Sequence, residues 1–279
     1  MEIKNIYPEW ISEYHLTLDE LMSIEKEQWH KILVDRVLLI IKGLGNSLTD
    51  AEYHAIGTKF GRVWDIDDYR KTPSDGSIRN KETTPVSYFA TGDNSWGARE
   101  MKYHSDMAHM GKNSFPARSL YMVESARNGT GKTSWLNLEL AWEQFTDTEK
   151  AEWNGFEVVQ HDMYRPDTKM ETFPFLKTNP NSGKISPRIN CYVTPGRNRK
   201  SWIHHLINNG SPIVSSGPII EKLCTQCESK NNAFYTHSWD EGDILIYDNF
   251  GSLHKREPVT FEENEGDRLL KRLTFNITQ

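Results

Sequence analysis

The sequence predicts an α+β fold, a β-sandwich or jelly-roll core with flanking helices, on three observations. Strand-like runs outnumber helical ones in the second half of the chain. They do not alternate regularly with helices, as a parallel, doubly wound sheet would require. The aromatic complement of 9 Trp, 11 Tyr and 11 Phe suits a β-rich interior or a pocket with flat walls.

From the N-terminus, Leu18 to Leu33 reads as a helix. Thr17 with Glu20 makes a capping-box signature, and Leu18, Leu21, Met22, Trp29, Ile32 and Leu33 supply an apolar face. Arg36 to Ile41 reads as a buried strand, ended by Gly43 and Gly45. A second capped helix runs from Thr49 and Glu52 to about Phe60-Gly61. Residues 65–102 are polar and punctuated by Pro and Gly, which predicts a long loop of the kind that builds active sites. Tyr103 to His109 and Ala117 to Ser125 read as strands; Trp135 to Phe145 and Asp147 to Trp153 read as helices. Lys177 to Tyr192 reads as strand, turn and strand around Asn179-Pro180-Asn181-Ser182-Gly183, and Asp243 to Tyr247 and Arg268 to Ile277 as two late strands. With no repeat and no low-complexity tract, the expectation is a single domain over residues 1–279.

Composition narrows the function classes. At 37% hydrophobic and 26% charged, the chain can bury a substantial core. A formal net charge of −6, from 33 basic and 39 acidic residues, speaks against a nucleic-acid partner and against attachment to anionic membranes. The longest strongly apolar run, Val37 to Ile41, is too short to span a bilayer, and the N-terminus lacks the pattern of a signal peptide. Three cysteines, Cys191, Cys224 and Cys227, do not suggest a disulfide framework. The expectation is a cytoplasmic protein, with homo-oligomerisation left open.

His104-Ser105-Asp106 carries the chemistry. Residues i and i+2 of a strand face the same way, so an imidazole and a carboxylate can chelate one ion from one side. His254, just beyond a strand-like run and a turn, can complete a triad of two His and one carboxylate. That set leaves three octahedral positions open, as in non-haem Fe(II) oxygenases. Arg268 and Arg272 follow on a predicted strand, where both guanidinium forks would face one way and suit carboxylates. The bland alternative for both is pairing with the acids of Glu262-Glu263-Asn264-Glu265.

From Val34 to Asn276 the chain resembles the TauD/TfdA family, the taurine dioxygenase-like oxygenases that use 2-oxoglutarate. The resemblance rests on Val37 to Ile41 with Leu48-Thr49-Asp50-Ala51-Glu52 and Phe60-Gly61, and on Tyr103-His104-Ser105-Asp106. It continues through Gly131-Lys132-Thr133-Ser134-Trp135 with Ala141-Trp142 and through Thr178 to Lys184. Asp248-Asn249, His254, Arg268 and Arg272-Leu273-Thr274 complete it. The resemblance implies a double-stranded β-helix, with His104, Asp106 and His254 on Fe(II) and with 2-oxoglutarate and O2 as co-substrates. Thr133 and Arg268 would hold the distal carboxylate of 2-oxoglutarate, and Arg272 would contact co-substrate or an anionic substrate group. The implied reaction is hydroxylation of a small polar or anionic metabolite (an amino acid, carboxylate or sulfonate) with release of succinate and CO2. Desaturation and cyclisation are alternatives at the same iron; Asp106 stands where related halogenases carry a small residue. Tyr88, Trp96, Arg99 and His109 are candidate substrate-pocket residues, and the 65–102 loop shows no substrate-specific pattern.

Two rival readings have their own residues. Residues 126–133, Ala-Arg-Asn-Gly-Thr-Gly-Lys-Thr, nearly fit a phosphate-binding loop of an NTPase, with Ala for the first Gly. Cys224-Thr225-Gln226-Cys227 and His204-His205 offer metal donors, but without matching partners they read as reduced thiols and ordinary histidines. A non-catalytic scaffold would have no need of an intact triad with Arg268.

Overall fold

The computed structural model describes residues 2–5, 8–64, 78–79, 86–90, 101–106, 117–126, 129–160, 171–189, 205–213, 216–258 and 268–277. Its strands are β1 (Glu2–Asn5), β2 (Ile11–His15), β3 (Leu38–Lys42), β4 (Arg62–Val63), β5 (Ile78–Arg79), β6 (Ser87–Ala90), β7 (Met101–His104), β8 (Ala117–Glu124) and β9 (Thr133–Asn137). They continue with β10 (Phe156–Gln160), β11 (Glu171–Pro174), β12 (Leu176–Thr178), β13 (Ile185–Pro187), β14 (His205–Asn208), β15 (Ser211–Pro212), β16 (Phe234–His237), β17 (Ile244–Asp248), β18 (Ser252–Arg256) and β19 (Leu269–Asn276). The helices are α1 (Leu18–Ser23), α2 (Lys26–Asp35), α3 (Asp50–Phe60), α4 (Leu138–Glu143), α5 (Asp147–Ala151) and α6 (Gly217–Glu228).

Two sheets make the expected jelly roll. The major sheet runs β1-β2-β3-β17-β8-β19-β6-β5, with β4 on β19, and the minor sheet runs β16-β9-β18-β7. Because side chains alternate along a strand, each central strand of the major sheet feeds two cores. Leu39, Ile41, Tyr121, Ile244, Ile246, Leu273 and Phe275 face α1 to α3 with Trp29, Tyr53 and Phe60. Leu38, Ile40, Leu120, Met122, Leu245, Tyr247 and Leu270 face inward, where Trp135 of the minor sheet meets them. A third cluster packs α4 and α6 with Trp153 and Phe175 against the outer side of the minor sheet.

Most predicted elements appear near their predicted positions, and the differences have physical causes. The capping boxes at Thr17 and Thr49 form as read. The expected helix Leu18 to Leu33 is two helices, because Ile24 and Glu25 adopt extended backbone between α1 and α2. The expected helix Trp135 to Phe145 begins as strand. β9 hydrogen-bonds to β16 on one side and β18 on the other, and Asn137 then caps α4 by accepting from Leu140 N–H. Tertiary pairing overrode a helical-looking apolar pattern. The expected loop 65–102 contains the strand residues of β5 and β6 and the start of β7.

The turn that delivers His254 is held by a buried polar network. The carboxylate of Asp248 accepts from Phe250 N–H at 2.7 Å and Gly251 N–H at 3.1 Å. Asn179, on the central β12–β13 hairpin, donates to both Asp248 and Glu139 at 2.6 Å. Burial raises the pKa of both acids, each further raised or offset by its neighbours. Gly251 is required by closeness: a Cβ there would lie 2.8 Å from the Glu139 carboxylate and 3.2 Å from Asn179 Nδ2.

Candidate metal and co-substrate site

His104 and Asp106 sit at and just beyond the end of β7, and His254 lies on β18, directly opposite His104 in the antiparallel register. Their ring centroids are 4.2 Å apart. Asp106 Oδ1 lies 3.9 Å from His104 Nε2, and Oδ2 lies 3.8 Å from His254 Nε2. Among the described residues, ligand atoms of these three groups lie within 4.8 Å of one another. The imidazoles face one carboxylate from two neighbouring strands, as a facial triad needs.

The protonation states fit a metal site. His104 Nδ1 donates to Lys102 C=O at 2.8 Å, which leaves Nε2 as a lone-pair donor toward Asp106. Burial lowers the pKa of both histidines, with His254 pushed down to about 3 by burial and by His104 beside it. Burial alone would raise the pKa of Asp106. The guanidinium groups of Arg118 and Arg272 and the two imidazoles outweigh it, so the carboxyl stays well below the usual range and remains an anion.

Asp106 is gripped on every side. Its N–H donates to Asn249 Oδ1 at 2.9 Å, and its C=O accepts from Asn249 Nδ2 at 2.8 Å. Ser105 Oγ donates to Asn249 C=O at 3.0 Å. On the carboxylate, Tyr247 O–H donates to Oδ2 at 3.0 Å and Arg118 Nε stands 3.3 Å from the same oxygen. Arg272 Nη1 lies 3.6 Å from Oδ1. Burial, then the Asp106 charge, keeps the Tyr247 phenol protonated and therefore a donor.

Thr133 and Arg268 form a second grouping bridged by Trp239. Trp239 Nε1–H donates to Thr133 Oγ1 at 2.9 Å, and the Arg268 guanidinium lies 6.0 Å from the Trp239 ring centroid. With its oxygen accepting from the indole, the Thr133 hydroxyl keeps its proton for another acceptor. Burial, with Arg256 nearby, lowers the pKa of Arg268 to about 9; it remains a buried cation at neutral pH.

The structure thus brings His104, Asp106, His254 and Arg272 together and sets Thr133 with Arg268 nearby through Trp239. Tyr88, an expected substrate-pocket residue, is not among them. It pairs with Lys271 on the face opposite Arg272, donates its hydroxyl to Asp50, and so faces α3. Trp96, Arg99 and His109 lie outside the described residues, as does His204. Sequence reasoning missed Tyr247, Asn249, Trp239 and Arg118. For Arg118 there was a signal, a single arginine inside the otherwise apolar or neutral run from Ala117 to Val123.

The nucleotide-loop reading fails on local structure. A phosphate-binding loop opens into a helix whose N-terminal N–H groups face the ligand. Here Thr133 opens β9, its backbone tied into the ladder with β16 and β18. Cys224 and Cys227 are buried within α6 and form no disulfide among the described residues.

The model of the family described as "Taurine catabolism dioxygenase TauD, TfdA family" matches residues 2–274. Among solved structures, a putative alpha-ketoglutarate-dependent taurine dioxygenase from Burkholderia xenovorans superposes with a TM-score of 0.69 at 17% identity, covering 98% of this chain and 92% of that one. AAD-2, solved in complex with Mn(II) and N-oxalylglycine, gives 0.64 at 14% identity, covering 100% of this chain and 98% of the other. PvcB, an Fe, alpha-ketoglutarate dependent oxygenase from an isonitrile synthetic pathway, gives 0.66 at 14% identity over 95% of this chain and 85% of its own. At such identities these likenesses show the jelly-roll fold. A comparison with curated protein sequences finds no match.

Proposed function

The chain belongs to the TauD/TfdA family of Fe(II)/2-oxoglutarate-dependent oxygenases, and from that premise we propose that it hydroxylates a small polar or anionic metabolite, an amino acid, carboxylate or sulfonate. Iron, 2-oxoglutarate and O2 are the cofactor and co-substrates of the family. Bound at the triad, Fe(II) supplies the redox centre at which 2-oxoglutarate and O2 are consumed to succinate and CO2 while substrate is oxidised.

In this proposal His104, Asp106 and His254 hold the metal. The donor set fits: two neutral imidazoles, at least one with its Nε2 lone pair fixed toward the site, and one ionised carboxylate. Thr133 and Arg268 hold the distal carboxylate of 2-oxoglutarate, the hydroxyl by its free proton and the guanidinium by its fork. The observation that carries the anionic-substrate class is Arg272, whose Nη1 stands 3.6 Å from Asp106 Oδ1, at the rim of the ligand set and apart from the Thr133–Trp239–Arg268 grouping. A substrate anion drawn to it would come to rest beside the metal. Desaturation or ring closure of the same substrate class is the second outcome the triad would support.

The test is an anaerobic titration of the apoprotein with Fe(II) and 2-oxoglutarate, followed by a screen of amino acids, carboxylates and sulfonates for substrate-stimulated succinate release. A visible charge-transfer band that disappears in His104→Ala supports the ligand assignment. Stimulation confined to uncharged or cationic compounds would overturn the anionic class.

A further inference from the structure

We propose that Lys177, Ser186 and Arg188, on the inward face of the β12–β13 hairpin, form a binding site for an oxoanion group: a carboxylate, sulfonate or phosphate. The site uses none of the residues assigned to metal or co-substrate, so it stands or falls apart from the functional reading above.

Sheet register places the three side chains together. Lys177 pairs with Ser186 in the hairpin, and Arg188 N–H donates to Phe175 C=O, which carries the same register one residue further. Because side chains alternate along a strand, Phe175, Lys177, Ser186 and Arg188 share one face. Burial shows which face it is. Phe175 and Ser186 are buried, whereas Leu176 and Ile185 on the opposite face are 39% and 49% exposed. Lys177 and Arg188 are half-buried, so a ligand from solvent can reach them. Each cation lies against an aromatic ring: Lys177 Nζ is 5.6 Å from the Phe250 centroid, and the Arg188 guanidinium is 4.7 Å from that of Phe173.

The donors on this face are unmatched. Among the described residues, Arg188 Nε and Ser186 Oγ are buried atoms with no hydrogen-bond partner. Burial lowers the pKa of Arg188, with no acid beside it to offset the loss. Burial, and then the Arg188 charge, lowers that of Lys177 to about 8, while Asp248 and Glu139 offset only part of the fall. Those two acids are already engaged. Both accept from Asn179, Glu139 also accepts from Ser182 Oγ, and Asp248 also accepts from the N–H groups of Phe250 and Gly251.

Two like charges and an unmatched hydroxyl on one half-buried face cost free energy until an acceptor arrives. An oxoanion offers several acceptor oxygens on one centre. It can take a hydrogen bond from the ammonium, the hydroxyl and the guanidinium together, and its charge relieves the repulsion between Lys177 and Arg188.

The experiment is equilibrium dialysis of the full-length apoprotein against radiolabelled sulfate, phosphate and acetate at fixed ionic strength. The wild type should bind at least one of them saturably. Lys177→Met and Arg188→Met should each weaken that binding at least tenfold, the usual effect of losing a hydrogen bond from a charged donor. Ser186→Ala should weaken it about threefold. Arg188→Lys, which keeps the charge and loses the fork, should fall between wild type and Arg188→Met; Lys177→Gln and Arg188→Gln replace the Met variants if those do not fold. Competition separates the sources of the anion. Displacement by methanesulfonate or acetate at lower concentration than phosphate supports an anionic group carried on an organic molecule, and the reverse order supports a free inorganic ion. No saturable binding by the wild type, or binding that the hairpin variants leave unchanged, would overturn the proposal. Binding lost in Arg272→Gln but kept in Arg188→Met would overturn it too, by assigning the anion to the metal site.

Discussion

Asn249→Ala should loosen the metal site without touching any ligand side chain. Asn249 is buried and makes a reciprocal pair of hydrogen bonds with the backbone of Asp106, at 2.9 Å to its N–H and 2.8 Å to its C=O. A typical hydrogen bond contributes about 1 kcal/mol net, and a buried group left unpaired costs about 1–3 kcal/mol. The Asp106 side chain is 15% exposed, so water reaches part of this neighbourhood and the lower end of that range applies. The two bonds together therefore contribute about 2–3 kcal/mol. At roughly 2–4 °C per kcal/mol for chains of 150–250 residues, the apoprotein should melt about 5 °C lower. Asp106 is tied to strand β7 on one side and held beyond it by Asn249 on the other. Its release should weaken Mn(II) binding by about 10–100-fold, the usual effect of losing an outer-shell support. Thermal unfolding of the apoprotein and Mn(II) titration measure the two effects separately. A variant that melts lower but binds Mn(II) within threefold of wild type would refute the claim that Asn249 positions the ligand.

Three further outcomes follow from the site and its surroundings. His104→Ala and His254→Ala should each abolish metal-dependent succinate formation, and wild-type turnover with wild-type metal content in either would contradict the triad. Arg268→Ala should raise the 2-oxoglutarate KM by about 100-fold, because a buried charge-assisted bidentate contact is lost. Trp239→Phe, which removes one hydrogen bond to Thr133, should raise it about fivefold; equal effects of the two would sink the assignment of the distal carboxylate to Arg268. Asp243 gives the pH dependence. Burial alone would raise its pKa, but hydrogen bonds from His237 at 2.9 Å and Asp240 N–H at 3.0 Å, with Lys42 at 3.0 Å, hold it below the usual value. A depressed carboxylate stabilises the fold above its unfolded pKa of about 4 and loses that contribution as pH falls through the lower folded value. Asp243→Asn should therefore cost about 2 kcal/mol at pH 7 and show a shallower loss of stability in acid, measured by urea unfolding from pH 7 to 3; parallel curves would refute the assignment.

Local chemistry made much of this protein legible before any coordinates. The capping boxes at Thr17 and Thr49 specify helix starts through contacts three residues apart, and both form. The sequence singled out His104, Asp106 and His254, and their potential ligand atoms do lie within 4.8 Å of one another, although β7 ends at His104 and Asp106 stands in the turn beyond it rather than on the expected strand. Where local pattern and tertiary pairing disagreed, pairing won. Residues 135–137, the expected start of a helix, became part of a central strand, because β16 and β18 both offered it backbone partners.

What the tertiary structure alone decided is how Asp106 is held. Tyr247 and Asn249 come from the end of β17 and the turn after it, about 140 residues beyond Asp106, and Arg118 from β8; nothing in the sequence pattern tied Tyr247 or Arg118 to Asp106. The direction of Tyr88, toward α3, was likewise set by its pairing with Lys271 and not by anything in its local sequence. The candidate ligand residue types are displayed by the sequence itself. The charge balance around them follows from which strands become neighbours, and sheet register fixes that only when the chain has folded.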